Sequence, residues 1–316
     1  MKNLAVIDYR LAQRFEVFLD VSPLTVKSYK STVKSYKSGV KRFLAFMAEN
    51  GIKNPNRDSV IAFKNSMLEH GRKPTTVSSY LSALRRFFSW AESEALYPDI
   101  TKGVKAPKIS RAHKKDCFTG NQIKGILANF DTNTLEGARN YALFSLMTCT
   151  GLRTIEISRA KIEDIRSECG VPVLYVQGKG RTEKADFVKI PERIENALKN
   201  YLKLRGKVDA TEALFSSLSD RNFGQSLTTT SISRICKMAM KEAGFNSSRL
   251  TAHSLRHTAV TLALMNGAEL ADVQAFARHS SINTTLSYSH AVNRLKSGIE
   301  NSIERSIFFN GRKKKN

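Results

Sequence analysis

The groups best suited to phosphate chemistry in this chain fall between Thr251 and His290, where His253, Arg256, His257, Arg278, His279 and Tyr288 lie close in sequence. The stretch opens T-A-H-S-L-R-H. The apolar run through Ala259, Leu262 and Leu264 predicts a helix that begins near His253 and is closed by Gly267. At helical spacing His253, Arg256 and His257 share one face. A short helix is expected over about 270–277, and R-H-S-S-I-N-T-T-L-S-Y-S-H then sets His279 and Tyr288 nine residues apart. The i, i+4 pair His253 and His257 also has metal-ligand spacing, but a zinc-protease helix carries Glu after the first His, where Ser254 stands. Taken singly, each histidine is an ordinary hydrogen-bonded residue and Tyr288 an ordinary aromatic. The combination is what points to chemistry.

Upstream, T-C-T-G-L-R-T-I-E supplies Arg153 and Glu156, and V-Q-G-K-G-R-T-E-K supplies Lys179 between glycines. The ordered set Thr150-Gly151-Leu152-Arg153 with Glu156, then Gly178-Lys179-Gly180, His253-x-x-Arg256-His257, and His279 with Tyr288 resembles the tyrosine recombinase (phage integrase) family, of the Xer-like or simple integrase type. The resemblance covers about 120–290. Relatives of that family usually carry Gly just before the histidine matched by His279, whereas this chain has Arg278. A positive φ at that position would cost a non-glycine residue roughly 1 kcal/mol.

A phosphodiester carries one negative charge, and attack on phosphorus builds more on its oxygens, so catalysis there is mostly placement plus positive electrostatics. Arg153 and Arg256 suit the clamp, since a guanidinium stays charged and can hold two oxygens at once. His279 can donate a third hydrogen bond, Glu156 can orient Arg153, and His257 stands in support. The Tyr288 phenol, with an unperturbed pKa near ~10, needs a base or nearby cations to act as nucleophile, and His253 is the candidate base. Lys179 suits the general acid for the leaving oxygen. No metal, cofactor or nucleotide is required. The resemblance implies a 3′-phosphotyrosine intermediate, strand exchange through a Holliday junction, specific core sites in double-stranded DNA, and a homo-oligomer that is a dimer on one site and a tetramer in synapsis. Two other classes use similar parts: a type IB topoisomerase, and a non-catalytic DNA-binding accessory protein, which is expected to lack one of the matched residues.

The elements that must position these groups read as mostly α with a small β-sheet (α+β). The resemblance implies an N-terminal helical core-binding (SAM-like) domain over 1–110 and a catalytic domain over 118–316 ending in a helix for subunit contacts. At about 97–117 the apolar periodicity fails and Pro98, Pro107, Lys102, Lys105, Lys108 and Arg111 accumulate, which reads as a basic linker. Helices are expected over about 5–19, from Pro23 through Met47, over 58–69, and from a cap at Thr75 or Thr76 through Phe88. In the second half they are expected over 121–128, 135–147, 191–204, 230–243 and about 293–307. V-P-V-L-Y-V-Q and A-D-F-V-K-I read as a hairpin with Lys179 in its loop.

T-V-K-S-Y-K-S occurs at 25–31 and again unchanged at 32–38. Val26, Tyr29, Val33, Tyr36 and Val40 therefore form one helical stripe, and Lys27, Lys30, Lys34, Lys37 and Lys41 a neighbouring basic one. With Arg85 and Arg86, these are the candidate DNA-contact residues. The formal charge of +23 and pI of about 10.0 call for a polyanionic partner. Residues 1–110 hold 19 Lys and Arg against 9 Asp and Glu, so both parts of the chain are basic. Four widely spaced cysteines suggest neither a zinc motif nor a disulfide framework. With no apolar run approaching ~18 residues, the expectation is a soluble, cytoplasmic, nucleoid-associated protein without a membrane segment.

Overall fold

The structure, a computed structural model, describes residues 6–19, 23–109, 116–178 and 183–308, with 23–33 described by their backbone. The chain divides into two units, residues 1–112 and 113–316.

In the first unit α1 (Tyr9–Leu19), α2 (Pro23–Glu49), α3 (Arg57–Glu69) and α4 (Pro74–Ser93) surround an aromatic core. Phe15, Phe43, Phe63, Phe87 and Phe88 are at most 1% exposed. Burying each stabilises the unit by about 1.5–3 kcal/mol. The duplicated heptad lies within the unbroken α2. Beyond it, Gly39 lets α2 meet α4 closely: a Cβ there would come within 2.6 Å of the Ala83 Cβ. Neither Thr75 nor Thr76 caps α4. Lys73 is the N-cap without a side-chain bond, because Pro74 presets φ and has no N–H to satisfy. The segment from Tyr97, expected as a linker, is instead packed as far as Val104. Tyr97, Thr101 and Val104 are buried, Tyr97 donates to the Pro55 carbonyl at 2.8 Å, and Arg85 donates to the Val104 carbonyl at 2.7 Å.

The second unit runs α5 (Gly120–Ala128), α6 (Leu135–Thr150), α7 (Thr154–Arg159), an antiparallel sheet of β1 (Ile165–Glu168), β2 (Val171–Val176) and β3 (Asp186–Lys189), then α8 (Glu192–Arg205) and α9 (Thr229–Glu242). It ends with α10 (Ala252–Met265), α11 (Leu270–Ala277), α12 (Ile282–Lys296) and α13 (Ile299–Phe308). The fold is thus mostly helical with a small sheet, as the sequence predicts. The strand β1 went unseen because I-R-S-E shows no apolar alternation. It joins β2 through Cys169 and Gly170, both at positive φ (51° and 80°), the backbone a two-residue hairpin requires. β2 and β3 form the expected hairpin, with Val176 opposite Asp186.

Helix α12 is the larger surprise, since it carries Tyr288 through a stretch to which the sequence pattern assigns no element. Ser, Thr and Asn compete locally for backbone bonds and lower helix propensity, so the signal was weak. Its buried stripe is Thr285, Tyr288 and Val292, of which only Val292 is an aliphatic residue. The helix expected over about 293–307 is also split: α12 ends at Lys296, Gly298 takes φ 59°, and α13 begins afresh. Two helices, α6 and α10, are buried along most of their length and face each other in the core.

Candidate active site

Two helix ends and one guanidinium make the floor of the site. Helix α6 stops at Gly151 in the left-handed conformation (φ 61°), and a Cβ there would crowd Phe276 at 3.3 Å. The Gly151 carbonyl accepts from Arg256 Nη1 at 2.6 Å, and the carbonyl of Ala277, last residue of α11, accepts from Nη2 of the same side chain. Arg256 is 2% exposed. Its cation sits where two helices present their negative ends, which favours a positive charge. Burial, then the Arg153 and Arg278 guanidiniums, lower its pKa to about 10, so it remains charged at neutral pH.

Arg153 sits at the start of α7, one turn before Glu156. The Glu156 carboxylate accepts from the Arg153 backbone N–H at 2.7 Å and from its Nη1 at 2.9 Å. Nη2 of Arg153 donates to the Arg278 carbonyl at 3.2 Å. Arg278 closes α11 in the left-handed conformation, with φ 52° and ψ 48°, at the position where a side chain costs roughly 1 kcal/mol over glycine. Its Nη2 donates to Glu156 at 3.1 Å and its Nη1 to the Phe276 carbonyl at 2.9 Å. Burial pushes the Glu156 carboxyl up, but Arg278 and then Arg153 outweigh it and hold the group below its ordinary value.

The expected nucleophile and histidines come from α10, α11 and α12. Tyr288 is 6% exposed, packed among Val260, Leu264, Val273, Ala277 and Val292. Its hydroxyl lies 3.5 Å from His257 Nε2, the outer limit of a hydrogen bond. His257 is buried, its ring 5.0 Å from that of Tyr288 and 5.1 Å from that of exposed His253. Burial raises the Tyr288 pKa against the pull of Arg256 and Arg153. The His279 ring stacks on Tyr288 at 6.1 Å, and its Nδ1 is 2.9 Å from the hydroxyl of buried Thr285. Burial, then Arg256, Arg153 and Arg278, lower the His279 pKa to about 4, so the ring is neutral at pH 7. When the Thr285 hydroxyl donates to Nδ1, the ring proton sits on Nε2 and is available to an oxygen.

Arg153, Glu156, Gly178, Asp186, Arg278 and His279 line an open cavity of about 700 Å³. Lys179 lies outside the described residues; Gly178, just before it, accepts from Arg159 Nη1 at 3.3 Å. The structure thus brings Arg153, Glu156, Arg256, His257, His279 and Tyr288 together, with His253 at the exposed edge of α10. The sequence sets Arg278 among the groups suited to phosphate chemistry and marks it as a departure from glycine, but assigns it no role in the site. The usable signal was a charged side chain at a helix C-terminal cap. Thr285 left no signal, being one of two adjacent threonines in a polar stretch.

In the first unit Lys34 and Lys41 are exposed, Lys37 pairs with Glu16 at 2.9 Å, and Arg86 lies over the Phe18 ring at 5.5 Å. Arg85 is half-buried and committed to the Val104 carbonyl. The side chains of Lys27 and Lys30 lie outside the described residues.

Residues 116–294 match the phage integrase family, and residues 20–95 match the phage integrase N-terminal SAM-like domain. The tyrosine recombinase XerC of Corynebacterium glutamicum is 32% identical over 231 residues, covering 72% of this chain and 71% of its own. The tyrosine recombinase XerD of Listeria innocua is 28% identical over 247 residues, covering 76% and 80%. The fold is similar to that of the XerH site-specific recombinase in its post-cleavage complex with a palindromic difH substrate, at a TM-score of 0.71 and 23% identity, over 87% of this chain and 80% of that one.

Proposed function

The chain belongs to the phage integrase family and is a tyrosine-type site-specific recombinase; from that premise we propose that Tyr288 is its nucleophile and that Arg153 and Arg256 hold the scissile phosphate. The observation that carries this reading is the buried Tyr288 hydroxyl, with a histidine at 3.5 Å and two guanidiniums that pull on its proton against the effect of burial. Because both arginines are anchored by carbonyl or carboxylate partners, their charges are in place before the reaction, and developing charge on the phosphate requires little reorganisation. His279, neutral, donates a third hydrogen bond.

Oη attacks phosphorus, the bond to the 5′ oxygen breaks, and a 3′-phosphotyrosine forms. The phenol proton leaves towards the histidine pair, with His257 nearest and His253 as the exposed base that returns it to solvent. The departing 5′ oxygen takes a proton from Lys179, a role supported by Gly178 in the cavity wall and by the hairpin on either side. A 5′-hydroxyl of another strand reverses the step. The phosphotyrosine keeps the bond energy, so exchange through a Holliday junction needs neither metal nor ATP.

Double-stranded DNA as partner is supported by the charge of +23 and by the DNA complex of the XerH relative. The α2 lysines and Arg86 are the proposed backbone contacts in a core-binding domain, with the catalytic domain following it. Assembly as a dimer on one site and a tetramer in synapsis is supported by α13, whose Ile299, Ile303, Ile307 and Phe308 are all exposed. Among the described residues no helix is long and apolar enough to cross a membrane, in keeping with a place beside the nucleoid in the cytoplasm.

Sequencing DNA recovered from covalent adducts of the wild-type chain on fragmented host DNA defines its site. On a nicked suicide duplex carrying that site, Tyr288→Phe should give no covalent adduct and near-normal gel-shift affinity; an adduct surviving in the mutant overturns the nucleophile assignment. Truncation after Lys296, which spares buried Val292, should leave half-site binding intact and weaken cooperative assembly on the same duplex, and unchanged cooperativity removes α13 from the interface.

A further inference from the structure

Arg278 takes no part in the mechanism above, yet its side chain is only 10% exposed and lines the same cavity as Arg153 and His279. It is held at φ 52°, a left-handed backbone that strains an L side chain and suits glycine. Something must compensate that strain, and its contacts say what. Glu156, 1% exposed, divides its carboxylate between two arginines: Oε1 takes Arg153 Nη1 at 2.9 Å, and Oε2 takes Arg278 Nη2 at 3.1 Å. The carbonyl of Arg278 also accepts from Arg153 Nη2 at 3.2 Å. Any residue ending α11 could offer that carbonyl, but only a cationic side chain can also balance the charge of Glu156.

The charge balance gives that sharing a consequence. With Arg153 and Arg256 alone, the buried carboxylate would cancel one of the two charges meant for the phosphate. With Arg278 present, three guanidiniums face one carboxylate, and both clamping charges stay uncompensated. In addition, Arg278 Nε is buried and has no hydrogen-bond partner among the described residues. Leaving a buried donor unsatisfied is a cost that a residue placed only for stability has no reason to carry.

Resting on the recombinase reading, we infer that Arg278 is a positioning residue for strand cleavage: it neutralises Glu156 and holds the Arg153 guanidinium from two sides, leaving the full field of Arg153 and Arg256 on the phosphate. The lowered pKa of Glu156, drawn down against burial by the charge of Arg278 and by the charge and hydrogen bonds of Arg153, agrees with a carboxylate ionised beneath the site.

The test is a double-mutant cycle, read as the single-turnover rate of adduct formation on the nicked suicide duplex. Arg278→Gly suits the backbone at this position and should melt no lower than the wild type, yet slow adduct formation on the order of tenfold to hundredfold, less than removing an arginine that touches the phosphate. Glu156→Gln removes the charge that needs neutralising and keeps an amide oxygen for Arg153. Added to Arg278→Gly, it should restore most of the lost rate. Arg278→Lys should recover part of it alone, since it returns the charge. Equal slowing by Arg278→Gly with and without Glu156→Gln, the signature of independent effects, overturns this inference while the recombinase reading stands. A wild-type chain that forms no adduct overturns that reading first, and this one with it.

Discussion

Lys34 and Lys41 on α2 stand exposed, and Lys37 pairs with a partly exposed Glu16, whereas Arg153, Arg256 and Arg278 in the second unit are tied to carbonyls and to a carboxylate below the surface. All carry one positive charge, but they are held differently. An exposed lysine pair contributes about 0–1 kcal/mol, is screened by salt and can follow a phosphate that shifts. A buried guanidinium with its fork filled cannot follow anything; it fixes where the charge must come. The first arrangement suits affinity for a long polyanion, and the second suits stabilising one transition state.

Arg256 should break this comparison most visibly. Arg256→Ala should lower the rate of adduct formation by about 10²–10³ or more, roughly 3–4 kcal/mol of transition-state stabilisation, and should also lower the melting temperature. Arg256→Lys should fare little better, because a single ammonium cannot bond the Gly151 and Ala277 carbonyls as the planar fork does. A lysine variant that cleaves near the wild-type rate means that charge alone, and not its fixed placement, is what the site requires.

His279 sharpens the same point through pH. Its folded pKa of about 4 lies below the ordinary value of 6.5, so between those values the unfolded chain binds a proton that the folded chain does not. Its contribution to stability is therefore complete above about pH 6.5 and is lost as pH falls towards 4. The melting temperature should drop over that window, and His279→Asn should flatten part of the drop. A melting profile identical in both proteins means that burial and the cations of the pocket do not lower the pKa of this ring.

The smallest effect belongs to the lysines. Removing residues 32–38 shortens α2 by ~10.5 Å and turns its start by only ~20° relative to the rest. Gly39 and its contact with Ala83 stay in place, so the first unit should still fold. Lys34 goes with the deleted copy, as does Lys37 with its bond to Glu16. The slope of log affinity against log salt should fall by about one to two units, the lower end holding if Glu16 keeps Lys37 from the phosphates. An unchanged slope makes the stripe a solvated face.

The sequence by itself determined the types and order of the reacting groups, the mostly helical class with its β2–β3 hairpin, and the basic character of both units. Those features are local: motif spacing, the 3.6-residue period and charge are all carried by neighbouring residues. It did not determine the packing of Tyr97–Val104, the strand β1, the helix around Tyr288 or the place of Arg278. The β1 residues show no alternation, and the α12 stripe uses Thr285 where an aliphatic side chain would have signalled a helix. Arg278 can be understood only beside Glu156, 122 residues earlier in the chain. Tertiary structure decided the packing of Tyr97–Val104 and the place of Arg278 through partners distant in sequence, the Pro55 carbonyl that takes the Tyr97 hydroxyl and the carboxylate whose charge two arginines must share, whereas β1 is fixed by its neighbour β2 across a two-residue turn.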